Sequence, residues 1–333
     1  MKTFVFILLA LVAVTGSGFG QNLIAVQNGG EPKFFVSLDE AVTNSLNGDT
    51  LFLSGGIYAL TQTIDKTLHI VGNGYHPDST VVKGVTYIQN DINLGLGASN
   101  GSITGILINN LIMSEQGNIT NYSVRRCFTQ SIHGAFSNSI FSENIVKQNF
   151  YITGSSSCYY YNNIIEGWAN NFALSNSTFK NNIFLAETRV NYPVNANHCL
   201  FENNIFIGTW NNPVGNCQQS IFRNNLFVYN WEGPDNLSNW FGSGNMVNVP
   251  QESIFVNQNG NTFDYKHNYH IKEGCPGKKG GVDGTDVGIY GGIYPWKEGG
   301  LPFNPQIRVA KIAGHTDEYG NLNVNIKVAA QER

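Results

Sequence analysis

One motif recurs along the middle of the chain at a near-constant step. Ile140-Phe141-Ser142-Glu143-Asn144-Ile145-Val146 returns as Tyr159-Tyr160-Tyr161-Asn162-Asn163-Ile164-Ile165 and as Thr178-Phe179-Lys180-Asn181-Asn182-Ile183-Phe184. Leu200-Phe201-Glu202-Asn203-Asn204-Ile205-Phe206 and Ile221-Phe222-Arg223-Asn224-Asn225-Leu226-Phe227 continue it. Weaker copies end at Asn110 and Cys127, and Asn245 adds one more. Aligned on the second Asn, the positions are 110, 127, 144, 163, 182, 204 and 225, with steps of 17, 17, 19, 19, 22 and 21 residues. Each unit reads as strand, sharp turn, strand, because its apolar flanks are β-branched or aromatic and Asn tolerates the left-handed turn conformation. A unit this short cannot bury its own apolar face, but stacked units can, so the repeat predicts a solenoid.

Strands stacked about 4.8 Å apart let aligned Asn side chains hydrogen-bond along the stack. Three residues before the ladder Asn stand Leu107, Val124, Phe141, Tyr160, Phe179, Phe201 and Phe222; one residue after it stand Leu111, Phe128, Ile145, Ile164, Ile183, Ile205 and Leu226. Both columns are expected to face the core. Of the charged residues, Lys180, Glu202 and Arg223 occupy adjacent units, as do Arg126 and Glu143, and both sets read as surface charge ladders between rungs.

Composition supports an all-β chain. The 333 residues include 45 Asn and 37 Gly, both poor in helix interiors, and only 13% are charged. No Lys/Arg run exists to suit a nucleic-acid partner. Residues 1–20 read as a secretory signal peptide, with Lys2, an apolar stretch from Phe4 to Val14 and a Gly18-Phe19-Gly20 cleavage site. The chain is then expected to be secreted, or held at the cell surface or in a periplasm, as a monomer with net charge 18 − 23 = −5. No other stretch reads as a membrane span. Cys127, Cys158, Cys199, Cys217 and Cys275 match no metal spacing and read as small core residues. Cys158 and Cys199 share a column but lie two units apart, about 9.6 Å at the ladder spacing, beyond disulfide reach.

The ends depart from the repeat. Ser37-Leu38-Asp39-Glu40-Ala41-Val42 reads as a short N-capped helix that covers the apolar end of the stack. Strand segments follow at 50–53 and 68–71. Residues 283–292 form a turn-rich stretch in which Asp283 and Asp286 are the candidate Ca²⁺ ligands, against the alternative of an end cap. Residues 307–312 and 322–328 alternate around a turn at 317–321 and read as a hairpin that must pack on something. The division is therefore signal peptide 1–20, parallel β-helix 21–292, and linker with hairpin tail 293–333.

The chain resembles the secreted right-handed parallel β-helix proteins of the pectin lyase-like superfamily. The resemblance rests on the Phe-x-Asn-Asn-Ile-Phe units, on Gly48-Asp49-Thr50-Leu51-Phe52-Leu53 with Gly55-Gly56-Ile57-Tyr58, on Val71-Gly72-Asn73-Gly74-Tyr75, and on Asp286-Val287-Gly288-Ile289-Tyr290-Gly291-Gly292. It covers about residues 22–292, and the tail is similar to those of bacterial, especially Bacteroidetes-like, members. It implies polysaccharide lyases, glycoside hydrolases or non-catalytic surface proteins as relatives, so function must come from the site.

Neither the polygalacturonase-like Asn-Thr-Asp, Asp-Asp and Gly-His-Gly set nor the pectate-lyase-like Arg-x-Pro-x-x-Arg motif is present; Ile132-His133-Gly134 is a partial echo. Glycoside hydrolysis needs two carboxyls roughly 5–9.5 Å apart. The catalytic candidates are Glu166 and Glu187 in neighbouring units, Arg189 to neutralise a uronate, and His198 as a base. Five or six residues after the ladder lie His133, Phe150, Trp168, Thr188, Trp210 and Trp231. Exposed, the rings of Phe150, Trp168, Trp210 and Trp231 would stack on sugars; turned inward, they would form an aromatic core. The expectation is a β-helix that binds a polysaccharide and, if catalytic, cleaves it as a lyase or hydrolase. The alternative is a non-catalytic surface or matrix protein.

Overall fold

A computed structural model describes residues 22–81, 84–113, 117–152, 154–167, 169–185, 194–208, 217–233, 240–303 and 305–329; at 169–174, 194–196, 306 and 308 it describes the backbone alone. The chain winds into a parallel β-solenoid of about eight turns. Twelve strands form one long sheet, from the antiparallel pair Lys33–Phe35 and Ile24–Gln27, through Asp49–Leu53 and Leu68–Val71, to Phe241–Ser243. A ten-stranded second sheet runs beside it and ends at Leu226–Phe227. Short parallel pairs, such as Ile119–Thr120 with Phe136–Ser137, make a third side.

Two corners define each turn. The residue before the ladder Asn is left-handed: Arg126, Glu143, Asn162, Asn181, Asn203 and Asn224 have φ between 51° and 60°. Six residues before the ladder, Asn121, Asn138, Ser157, Asn176, His198 and Gln219 form a second left-handed corner. The doubled Asn thus divides two tasks, with the first bending the chain and the second pointing inward. Asn182 shows the inward task. Its Oδ1 accepts from Asn163 N at 3.0 Å and Asn163 Nδ2 at 2.9 Å, and its Nδ2 donates to the Tyr160 carbonyl at 2.8 Å and Asn204 Oδ1 at 2.9 Å. The ladder continues to Asn245, which accepts from Asn225.

The expected column three residues before the ladder is the heart of the core. Tyr160, Phe179, Phe201 and Phe222 stack with centroids 4.5, 4.8 and 4.7 Å apart, the rung spacing itself. A second inward stack is formed by Phe184, Phe206 and Phe227 at 4.7 Å steps. All five cysteines are buried, and Cys158 and Cys199 form no disulfide.

Three expectations are corrected. First, the weak copy ending at Asn110 is out of register. Phe128 pairs with Leu107, and its N–H donates to the Ile106 carbonyl, so Ile106 holds the ladder place and the step is 127 − 106 = 21 residues. Asn110 instead bonds Asp91. Second, the column one residue after the ladder is buried but lies outside the coil, as strand alternation requires. Ile145, Ile164, Ile183, Ile205 and Leu226 belong to a second core with Val249, Ile254, Phe255, Tyr269, Ile271, Val287, Ile289 and Trp296. Third, residues 283–292 are no end cap. The chain turns back after the last coil and lays a strap along the second sheet.

The strap is hooked by the left-handed corner, rung after rung. Asn224 Nδ2 donates to the Gly280 carbonyl, Asn203 Oδ1 accepts from Val282 N, and Asn181 and Asn162 donate to carbonyls of Gly288 and Ile289. Glu143 then accepts from Lys297 N at 3.1 Å, and Arg126 donates to the Leu301 carbonyl at 2.6 Å. The pair Arg126–Glu143 is therefore buried beneath the strap rather than a surface ladder, with the Arg126 guanidinium 3.9 Å above the Phe303 ring. Lys180–Glu202, at 2.8 Å, does bridge rungs as expected.

At the N-terminus, Leu38–Asn44 is helical, Ser37 Oγ accepts from Glu40 N, and Leu38, Ala41 and Val42 close the core. The C-terminal hairpin forms from Gln306–Ile312 and Val324–Ala329, with Ile312, Val324, Ile326 and Val328 exposed. No helix among the described residues is long and apolar enough to cross a membrane.

Candidate functional site

The strap accounts for several residues expected to do chemistry. One Glu166 carboxylate oxygen pairs with the Lys147 ammonium and accepts from Phe263 N at 2.7 Å, so this acid clamps the strap to the second sheet. Asp286 takes the Lys278 ammonium at 3.1 Å and Lys279 N at 2.9 Å. Asp283 accepts from Thr285 N and Oγ1 and faces the Lys180 ammonium at 3.8 Å. Partial desolvation would raise the Asp283 pKa, but the Thr285 bonds and Lys180 hold it below the ordinary carboxyl value. Two carboxylates already facing ammonium groups do not suit Ca²⁺, which seeks several free oxygens. No group of three or more His, Cys, Asp or Glu among the described residues fits a metal ion. Asp283 and Asp286 thus lie in a hydrogen-bonded turn of the strap.

His198 is exposed at the second left-handed corner, with φ 55°, and its N–H continues the backbone ladder to Gln218. Glu187, Arg189, Trp168 and Trp210 lie outside the described residues.

The aromatic column resolves into two. Phe150 is 1% exposed and meets Phe141 and Tyr160 edge-on at 5.4 and 5.5 Å. Trp231 is 5% exposed and stacks on Phe227 at 4.4 Å. Both are core, and neither offers a face to a sugar. The physical reason is position: Trp231 covers the last turn of both inward stacks, where Phe222 and Phe227 would otherwise meet water.

His133 faces the other way. A bulge between Thr129 and Ser131 shifts the register, so Ile132 pairs with buried Phe150 and His133 pairs with Tyr151. The His133 and Tyr151 rings stack at 5.6 Å with 7° between planes, and both are half-exposed. Their outward column continues through Ile112 to Asn93. Beside it Asp91 Oδ1 accepts from Asn109 Nδ2 at 2.6 Å and Asn110 Nδ2 at 2.8 Å. Desolvation lowers the His133 pKa, and the Asp91 carboxylate opposes that shift. Asn149, one rung on from Ser131, adds another half-exposed amide. Two stacked rings, one carboxylate and several amides thus share one sheet corner. Tyr151 and Asp91 escaped the sequence reading because neither sits at a repeat offset; the pairing that sets Tyr151 beside His133 passes through the bulge.

The long sheet presents a second outward surface. Its column Ile140, Tyr159, Thr178, Leu200, Ile221 and Phe241 is carried on successive strands, with Tyr159 43% and Phe241 61% exposed.

Comparison of the chain with protein-family models gives no match, and comparison with curated proteins gives none.

Proposed function

We propose that the protein is a secreted β-solenoid that binds a polysaccharide at the Asp91–His133–Tyr151 corner. The observation that carries this reading is the His133–Tyr151 ring pair beside a carboxylate already oriented by two amides. Sugar recognition needs that combination, an apolar ring surface with directional polar groups at its rim. The likeness of the repeat units to the pectin lyase-like superfamily and the signal-like residues 1–20 support an extracellular, bacterial setting. Binding without cleavage is the better-supported form, because Glu166 is engaged by Lys147 and the strap. Titration of residues 21–333 with polysaccharides by affinity electrophoresis tests it. Retardation that is lost in Tyr151→Ala, with thermal stability retained, is the expected result.

A second reading, a surface or matrix scaffold, is favoured by the exposed Tyr159–Phe241 column of the long sheet. In that case no glycan retards the protein, and Tyr159→Ser or Phe241→Ser changes its self-association or adhesion.

A further inference from the structure

The charges around the corner bear on which sugars it takes. Its outward columns carry Asn93, Ile112, His133 and Tyr151 on one side and the half-exposed Asn110 and Asn149, flanking buried Ser131, on the other, with Asp91 bonded at their edge. Among the described residues the cation beside them is Lys147, adjoining Val146, the partner of Thr129; its ammonium is engaged by Glu166. No Arg or Lys stands on these columns among the described residues. Burial lowers the His133 pKa, against the opposing pull of Asp91. Among the described residues the corner therefore presents the Asp91 carboxylate beside a set of amide and ring groups.

Resting on the binding reading above, we propose that this corner selects neutral hexose or pentose units and rejects uronates. Asp91 Oδ1 is held by the Asn109 and Asn110 amides, so the carboxylate is already oriented to accept from a sugar hydroxyl, which is a charge-assisted bond. The Asn149 amide offers a donor and an acceptor to a neighbouring hydroxyl, and the Tyr151 and His133 rings offer apolar surface to the C–H face of the ring. A uronate would instead bring a second carboxylate towards Asp91 with no described cation free to neutralise either. Unpaired like charges in a partly desolvated site repel, and that repulsion gives selectivity without any steric device.

The test is affinity electrophoresis and calorimetry on residues 21–333 with a neutral glucan, mannan and xylan, and with polygalacturonate. A neutral glycan is expected to bind at least about tenfold more tightly than polygalacturonate, equivalent to roughly 1.4 kcal/mol. Asp91→Asn keeps the acceptor for Asn109 and Asn110 but removes the charge; it should weaken the neutral glycan and narrow the gap to polygalacturonate. Tyr151→Ala should abolish binding of the neutral glycan, and His133→Gln checks the ring pair should Tyr151→Ala fail to fold. Equal or tighter binding of polygalacturonate, unchanged by Asp91→Asn, overturns the class assignment while leaving a glycan-binding protein. Binding indifferent to all three substitutions places the glycan elsewhere and overturns both. No binding of any polysaccharide refutes the functional reading itself.

Discussion

Arg126 donates a 2.6 Å hydrogen bond to the carbonyl of Leu301, joining residues 175 positions apart. The bond fastens the far end of the strap to one of the early coils, and the same guanidinium pairs with Glu143 at 3.0 Å. Glu143 in turn receives Lys297 N, so a two-residue ion pair between rungs holds two points of the strap. Both residues are left-handed, a conformation that costs a non-glycine residue of order 1–2 kcal/mol. Pairing and the covering strap offset that cost.

Arg126→Ala should destabilise the protein by about 3–5 kcal/mol, because Glu143 is left buried without its cation. Denaturant unfolding measures the loss. Limited proteolysis should show new cleavage near residues 297–303, and Glu143→Gln should be milder, since the Gln Oε1 can still accept from Arg126 Nε and Lys297 N even though the Arg126 charge loses its counterion.

Asn182→Ala should be among the costliest single changes in the repeat. It removes four hydrogen bonds and leaves the Asn163 N–H and one Asn163 Nδ2 proton without their acceptor in a buried interior. At about 1–3 kcal/mol per unsatisfied group the loss should exceed roughly 3 kcal/mol. Asn181→Gly, one residue earlier, keeps the left-handed corner but gives up the strap bond, and should cost less than half as much in the same assay.

Trp231→Ala separates core from site. Removing a side chain that stacks on Phe227 and packs at a tilt against Phe222 should cost about 3–5 kcal/mol. Glycan affinity measured below the melting temperature should be unchanged. Loss of affinity with unchanged stability would return the sugar site to the ring column.

The pH dependence of stability carries a signature of His133. Its folded pKa lies below the ordinary 6.5, so the unfolded chain binds the proton more readily. The stabilisation is complete above 6.5 and declines as pH falls from there towards the folded pKa. Comparison of unfolding free energy at pH 8 and pH 5.5 should show that decline, and His133→Gln should reduce it.

Much of this was legible in the sequence because the relevant physics is local. The alternation around Asn-Asn names the inward Phe column, and the left-handed tolerance of Asn names the corner. The helix at Leu38–Asn44 follows from Ser37 and the acids of its first turn. Where the local signal weakened, the reading slipped. Asn109-Asn110 mimics the repeat in type, yet its amides turn to Asp91, and the register there is four residues away.

The chain's own periodicity determined the solenoid, the Asn ladder and which side chains enter the coil, since each depends on neighbours about twenty residues away. Tertiary structure decided what happens on the outside. Ile145, Ile164, Ile183, Ile205 and Leu226 are covered by a strap from residues 249–303, which has no period and meets them from far along the chain. The same strap engages Glu166, a catalytic candidate, and carries Asp283 and Asp286 in ion pairs with Lys180 and Lys278, and a single bulge turned His133 out towards Tyr151 while leaving Phe150 in the core.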